Sequence, residues 1–312
     1  MINIQETELT YAQNLYEKKY LIGPITCNCG NKSFIVQYDN QAKISKCTFR
    51  CTNNQCKNKH SLRKNSFFSL FPKTKLRMIS EIVKSFMKEL NAKKCYDLIK
   101  IELNESITKG TVEKVYTAIR TVFKKYYSIV YQSEVFGETK AHKYFSVDES
   151  LFCADENKNH IWVLGIIDNT TKDFLLDIAY ERNQNILKSF IMNYINRGNI
   201  IVCDGWQGYA FLDKIEGYSR DMHIHGGGDF GLGLTSTSHI ESIWSQLKSI
   251  LKNIYYIIPH QNFILYLREA EWRVKNKNKT LDEKIASFFA AWELVYNMEP
   301  ENFENDLYLI DE

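Results

Sequence analysis

Asn199-Ile200-Ile201-Val202-Cys203-Asp204-Gly205-Trp206 is a short apolar run, rich in β-branched residues, that ends in a carboxylate and a glycine. A run of that kind bounded by Gly reads as a strand buried in an α/β sheet. Ligands bind beyond the C-terminal ends of strands in such sheets, so Asp204 marks a candidate site. A strand-terminal Asp also serves as a turn former or a helix N-cap, and the assignment therefore rests on its companions.

Two companions flank it in the chain. Upstream, Tyr144 to Phe152 reads as another strand, with Asp148 along its length; downstream, Ile240 to Lys248 reads as a helix carrying Glu241. In that helix Ile240, Ile243, Trp244, Leu247, Ile250 and Leu251 form one apolar stripe, and Glu241, Ser245, Lys248 and Lys252 form a row beside it. Glu241 thus flanks the buried face, although a solvated polar row would carry the same letters.

The intervening segments supply an order. Strands are expected at 144–152, 160–168 and 173–180, the last two joined by the turn Asn169-Thr170-Thr171-Lys172, followed by a helix over 183–197 and the strand that ends in Asp204. Three antiparallel strands, a crossover helix and a strand returning beside the first is the order of a ribonuclease-H-like fold, here a mixed five-stranded sheet with flanking helices. In that order Asp148 and Asp204 stand on neighbouring strands.

Three carboxylates converging on one place repel each other unless cations sit between them. Hard oxygen donors with open positions suit two Mg²⁺ or Mn²⁺ ions, which can activate a water or a 3′-hydroxyl for in-line attack on a phosphodiester. Lys248 falls on nearly the same helix face as Glu241 and is placed for a backbone phosphate.

The front of the chain has a different character. Residues 1–135 carry 23 Lys and Arg against 11 Asp and Glu, whereas the rest carries 17 against 26, within a net charge of only +3. A basic front half suits a polyanionic partner, and an acidic back half that must meet the same partner suits bound cations. No apolar run is long enough for a membrane span, and the N-terminus has no secretory pattern. The expected location is intracellular: nuclear in a eukaryotic host, cytoplasmic in a bacterial one.

Five of the eight cysteines crowd into one window: Cys27, Cys29, Cys47, Cys51 and Cys56. Two cysteine pairs joined by a hairpin are the plan of a zinc ribbon, in which a structural Zn²⁺ replaces the core that so small a unit cannot bury. Cys27, Cys29, Cys51 and Cys56 are the expected ligands; the first pair is C-x-C where two intervening residues are usual, so Cys47 can stand in for one of the four. Beyond the ribbon, Arg63 and Lys64 lie among aromatics at Phe67-Phe68 and suit phosphate contact, as would a solvated basic loop. Helices are indicated at 1–22, 75–90, 93–103 and 108–127. The last two have a helix-turn-helix outline in which Lys109, Lys114, Arg120, Lys124 and Lys125 face DNA, or else a plain charged outer face.

With these residues in place the chain resembles the Merlin superfamily of DDE transposases, relatives of bacterial insertion-sequence transposases. The resemblance is carried by Phe49-Arg50-Cys51 to Cys56 with Ser61-Leu62-Arg63 and Ser66-Phe67-Phe68, and by Val147-Asp148-Glu149-Ser150. It continues in Cys203-Asp204-Gly205-Trp206-Gln207-Gly208-Tyr209 and Thr237-Ser238-His239-Ile240-Glu241-Ser242-Ile243-Trp244 with Lys248. It implies cut-and-paste movement of double-stranded DNA bounded by terminal inverted repeats, a homodimer or larger assembly, and Asp148, Asp204 and Glu241 as the metal-binding triad. The competing expectation is a domesticated zinc-ribbon DNA-binding protein that no longer cuts. His223 and His225 lie in a Gly-rich stretch and are read as surface or DNA-contacting residues. The implied layout is an N-terminal helix (1–25), a zinc ribbon (26–66), a helical DNA-binding region (67–131), a catalytic domain (140–298) and an acidic tail (299–312).

Overall fold

The computed structural model describes residues 8–23, 26–37, 47–102, 106–133, 135–136, 142–154, 160–222, 234–254 and 262–299. The chain divides into two compact units, residues 1–126 with 278–312, and residues 127–277.

In the first unit α1 (Glu8–Glu17) precedes a small antiparallel sheet, β1 (Ser33–Gln37), β2 (Cys47–Cys51) and β3 (Lys59–Ser61), in the order β1-β2-β3. Helices α2 (Leu76–Met87), α3 (Ala92–Glu102) and α4 (Lys109–Ser133) follow, and the division between units falls within α4. The core of this unit is aromatic: Phe67 meets Phe288 and Trp292 edge-on with ring centres 5.0 and 5.5 Å apart, and Phe123 meets Phe288 at 6.0 Å. Those partners lie on α8 (Leu281–Met298), which starts with a Thr280/Glu283 capping box. α8 therefore packs with the N-terminal half of the chain, a placement that the expected range 140–298 does not convey.

The second unit is built on a five-stranded sheet. Its strands are β4 (Tyr144–Ala154), β5 (His160–Asp168), β6 (Phe174–Ala179), β7 (Asn199–Cys203) and β8 (Tyr218–Met222), in the order β6-β5-β4-β7-β8. β4, β5 and β6 pair antiparallel, whereas β7 runs parallel to both β4 and β8. The crossover to β7 is α5 (Gln184–Tyr194), whose N-cap Asn183 accepts a hydrogen bond from the Ile186 N–H. This is the expected ribonuclease-H-like order. The β5–β6 turn is tied by the Asp168 carboxylate, which accepts from the backbone N–H groups of Thr170 and Thr171 at 2.7 and 3.1 Å.

One sheet face packs on α6 (Ser238–Ile254) and α7 (Phe263–Lys275) through Ile161, Val163, Ile167, Phe174 and Leu176. α6 supplies Ile240, Ile243, Trp244 and Leu247 from its apolar stripe. Gly165 lies on that same face, between Val163 and Ile167, and a Cβ there would come within 2.6 Å of the Trp244 ring and 2.9 Å of Ile240. The missing side chain is the space in which α6 is seated. Gly165→Ala is accordingly expected to destabilise the protein by about 1–3 kcal/mol, since the neighbour that must move is a ring in a packed core. The check is the midpoint of urea denaturation; an unchanged midpoint would show that α6 can shift at no cost.

Candidate functional site

The four expected zinc ligands come together. The Sγ atoms of Cys27, Cys29, Cys51 and Cys56 all lie within 4.8 Å of one another, with 3.7 Å between Cys27 and Cys56 and 3.4 Å between Cys29 and Cys51. Tetrahedral zinc with Zn–S bonds of about 2.3 Å separates its sulfurs by about 3.8 Å, so the spacing fits the ion. The short C-x-C pair is accommodated by a tight turn: Gly30 adopts φ 83° and donates its N–H to the Cys27 carbonyl at 2.8 Å.

Cys47 is not in this cluster. It sits at the far end of β2, opposite Gln37, while Cys51 lies opposite Ser33, and burial pushes its thiol up to about 11. A ring of donors faces the sulfurs: the Asn53 N–H reaches Cys51 Sγ at 3.3 Å, Asn31 Nδ2 reaches Cys29 Sγ at 3.5 Å, and His60 Nε2 lies 3.4 Å from Cys27 Sγ. The backbone N–H near Cys29, and next His60, draw the Cys27 thiol down to about 6, favouring the thiolate that a metal needs.

The carboxylates are placed by the large sheet. Pairing of β4 with β7 runs Tyr144↔Ile200, Phe145↔Ile201 and Ser146↔Val202; Asp148 and Asp204 each lie two residues beyond the last pair, in step and on the same side by strand alternation. Asp148 stands opposite Gly165 on β5, on the face that α6 covers. Trp244 Nε1 on α6 donates to Asp148 Oδ2 at 2.7 Å. Glu241 is one turn earlier on that helix, exposed, and accepts from Thr237 Oγ1 at 3.0 Å. Asp204 Oδ1 accepts from the Trp206 N–H at 2.9 Å.

Burial pushes the Asp148 carboxyl up to about 6, with the Asp204 charge adding to the rise and the Trp244 N–H opposing it. Among the described residues only the four thiols form a group of three or more ligand atoms within 4.8 Å, so Asp148, Asp204 and Glu241 do not close to that distance. Lys248 rests over the same face, its Nζ 2.7 Å from Ser150 Oγ and 5.2 Å from the Phe152 ring centre.

The expected DNA-facing cations divide. Lys64, Lys109, Lys114 and Lys124 are exposed. Arg63 instead turns its guanidinium onto the chain, donating to the Phe71 carbonyl at 2.7 Å. Arg120 is buried over the rings of Phe86 and Tyr116, and Lys125 is buried against Glu299 at 2.7 Å. His223 and His225 lie outside the described residues.

Reading by sequence passed over three groups at this sheet end. Trp244 was legible as core but not as the donor to Asp148. Glu149 and Arg182 form an ion pair, Arg182 Nε to Glu149 Oε1 at 2.7 Å, directly behind the aspartates. The one available signal for Glu149 was its position next to Asp148, which strand alternation sends to the opposite face.

Residues 139–275 match the family described as the ISXO2-like transposase domain, a span that contains Asp148, Asp204 and Glu241. No curated protein matches the sequence. Among solved structures the chain is similar to the HTLV-2 integrase catalytic core domain in complex with magnesium, at 11% identity and TM-score 0.28, covering 44% of this chain and 87% of that one. It is also similar to a chain of the simian T-cell lymphotropic virus intasome in complex with PP2A regulatory subunit B56 gamma, at 11% identity and TM-score 0.32, covering 64% and 69%.

The sulfur geometry gives a prediction. One zinc ion per chain is expected by elemental analysis of purified protein, lost or strongly depleted in Cys51→Ser and Cys56→Ser and retained in Cys47→Ser. Loss of zinc from Cys47→Ser alone would contradict the ligand set.

Proposed function

We propose that this chain is a DDE transposase, akin to the Merlin and ISXO2-like enzymes, that cleaves DNA at terminal inverted repeats and joins the freed 3′-ends to a target. The observation that supports it best is the pair Asp148 and Asp204, in step on adjacent parallel strands, with the helix of Glu241 fixed to their face by the Trp244 to Asp148 hydrogen bond. The family match over residues 139–275 agrees with that reading.

The donor set is all oxygen and acidic, which suits Mg²⁺ or Mn²⁺ and not a thiophilic metal. Asp148 and Asp204 are the residues proposed to hold the cations, with Glu241 reaching them by rotating away from Thr237. When bound, such ions supply activation of the attacking hydroxyl and stabilisation of the leaving oxygen. The chain's own contribution is positional. Trp244 fixes the Asp148 carboxylate, the Trp206 N–H fixes that of Asp204, and Lys248 stands where a DNA phosphate would take the place of Ser150 as its partner.

The cysteine cluster is proposed to hold structural Zn²⁺. The exposed lysines of the first unit, Lys64, Lys109 and Lys114 among them, are proposed to meet the DNA backbone. Handling two element ends together calls for a homodimer or larger assembly on the DNA. The proposed place of action is intracellular, where that DNA lies.

The test is strand transfer of a duplex copied from the DNA flanking the chain's own coding sequence, with Mg²⁺ or Mn²⁺ present. Asp148→Asn, Asp204→Asn and Glu241→Gln are each expected to lower the rate by at least about 100-fold while the same duplex is still bound. Strand transfer that survives Asp204→Asn would remove the proposal.

A further inference from the structure

The ladder of backbone hydrogen bonds between β4 and β7 stops before it reaches the two aspartates. Something else must hold those strand ends at a fixed separation. The side chains behind them, on the sheet face opposite α6, form a closed circuit.

Glu149 follows Asp148 directly and has its side chain only 1% exposed. Its Oε1 takes Arg182 Nε at 2.7 Å, and its Oε2 takes the hydroxyl of the fully buried Tyr209 at 2.7 Å. Arg182 comes from the connection between β6 and α5, and lays its guanidinium over the Trp206 ring at 4.1 Å from the ring centre. Trp162 on β5 is the second ring near it, at 5.3 Å.

Trp206 packs against Gly208 as well. A Cβ at Gly208 would come within 2.0 to 2.3 Å of the indole, so the ring occupies the space that the glycine leaves. Tyr209 meets it edge-on at 6.0 Å. Trp206 is thus held by both Arg182 and Gly208. Its backbone N–H, meanwhile, holds Asp204.

We propose that Glu149, Arg182 and Trp206 form a clamp that sets the position of Asp204 relative to Asp148, and with it the affinity of the pair for divalent cations. The inference rests on the carboxylate reading given above. Arg182 and Trp206 are positioning residues: they reach the cations only through Glu149 and the Asp204 turn. Arginine suits the role, because its planar fork can bind a carboxylate edge-on while its face covers an indole.

The experiment is a titration of the full-length, zinc-loaded protein with Mn²⁺ in the absence of DNA, followed by the electron paramagnetic resonance signal of free Mn²⁺. Thiolates compete poorly for this ion, so the cysteine cluster does not interfere. Arg182→Met and Trp206→Leu are expected to weaken Mn²⁺ binding by about tenfold with far-ultraviolet circular dichroism unchanged, the size typical of losing a group that orients a metal ligand. Arg182→Lys keeps the charge opposite Glu149 but not the planar stack, and is expected to weaken binding about as much.

Unchanged Mn²⁺ affinity in whichever of these variants folds overturns the clamp, and so does a loss of thermal stability without a loss of affinity. Trp206→Leu leaves the Glu149 to Arg182 pair intact and Arg182→Lys leaves no buried charge unpaired, so these two decide the matter if Arg182→Met does not fold. Asp204→Asn separates the two readings: if it binds Mn²⁺ as tightly as the unaltered protein, the carboxylate site itself is wrong, whatever Arg182 does.

Discussion

The contact on which the second unit depends is the Trp244 indole lying in the space that Gly165 leaves on β5. It joins two requirements that are otherwise in tension. α6 has to sit close enough to bury its apolar stripe on the sheet, and it has to carry a polar group to a half-buried aspartate. Indole does both, with a large apolar body and a single N–H at its edge. The ring buries against β5 and the N–H meets Asp148 at 2.7 Å. Because Glu241 lies one turn before Trp244, the seat that stabilises the fold also sets the register of Glu241.

The first unit solves a different problem. A three-stranded sheet of short strands, with β3 exposed or half-exposed along its length, buries too little apolar surface to stand alone. The four sulfurs gather beside this sheet, Cys51 from the end of β2 and Cys27 and Cys29 from the turn at Gly30. Behind the ribbon the unit relies on aromatic packing, and this explains why charged residues of α4 are not all on its surface. Arg120 spreads over Phe86 and Tyr116 and Lys125 reaches Glu299, so these two belong to the packed interior together with Val112 and Val115, while Lys109, Lys114 and Lys124 on the same helix face solvent.

What could be read from the sequence was whatever has a short-range signature. Strand order followed from runs such as Ile200 to Cys203 and from the turn at Asp168 to Lys172; the four cysteines that cluster followed from spacing. β8 was not located, because Tyr218-Ser219-Arg220-Asp221-Met222 is polar: it is a half-exposed edge strand paired only with β7, and edge strands carry charge. α7 was not located either. Its arginines and glutamates suggest a surface helix, yet Arg268, Glu269, Glu271 and Arg273 are all buried. They satisfy one another, Arg268 with Glu271 at 2.7 Å and Arg273 with Glu269 at 2.6 Å. Composition cannot distinguish a charge facing water from a charge facing its partner, and removing one member of such a pair typically costs about 3–5 kcal/mol. The grouping of Glu149, Arg182 and Trp206 was invisible for a related reason: its members come from three separate segments, and only the folded sheet end brings them together.

Tyr209 shows how the sheet can end its pairing just where the aspartates begin. Along β4 the Lys143 carbonyl accepts from the Ile200 N–H at 2.8 Å, and carbonyls two and four residues later point the same way, toward β7. At Val147 the pairing with β7 has already ended, so that buried carbonyl would need another partner, at a penalty of about 1–3 kcal/mol if it found none. The Tyr209 hydroxyl lies 3.2 Å from it and 2.7 Å from Glu149 Oε2. A hydroxyl supplied by the turn after β7 thus stands beside that carbonyl, its one proton shared between the carbonyl and the nearer Glu149 carboxylate. The backbone pairing ends at Ser146 and Val202, and beyond it the contact is continued by a side chain from behind.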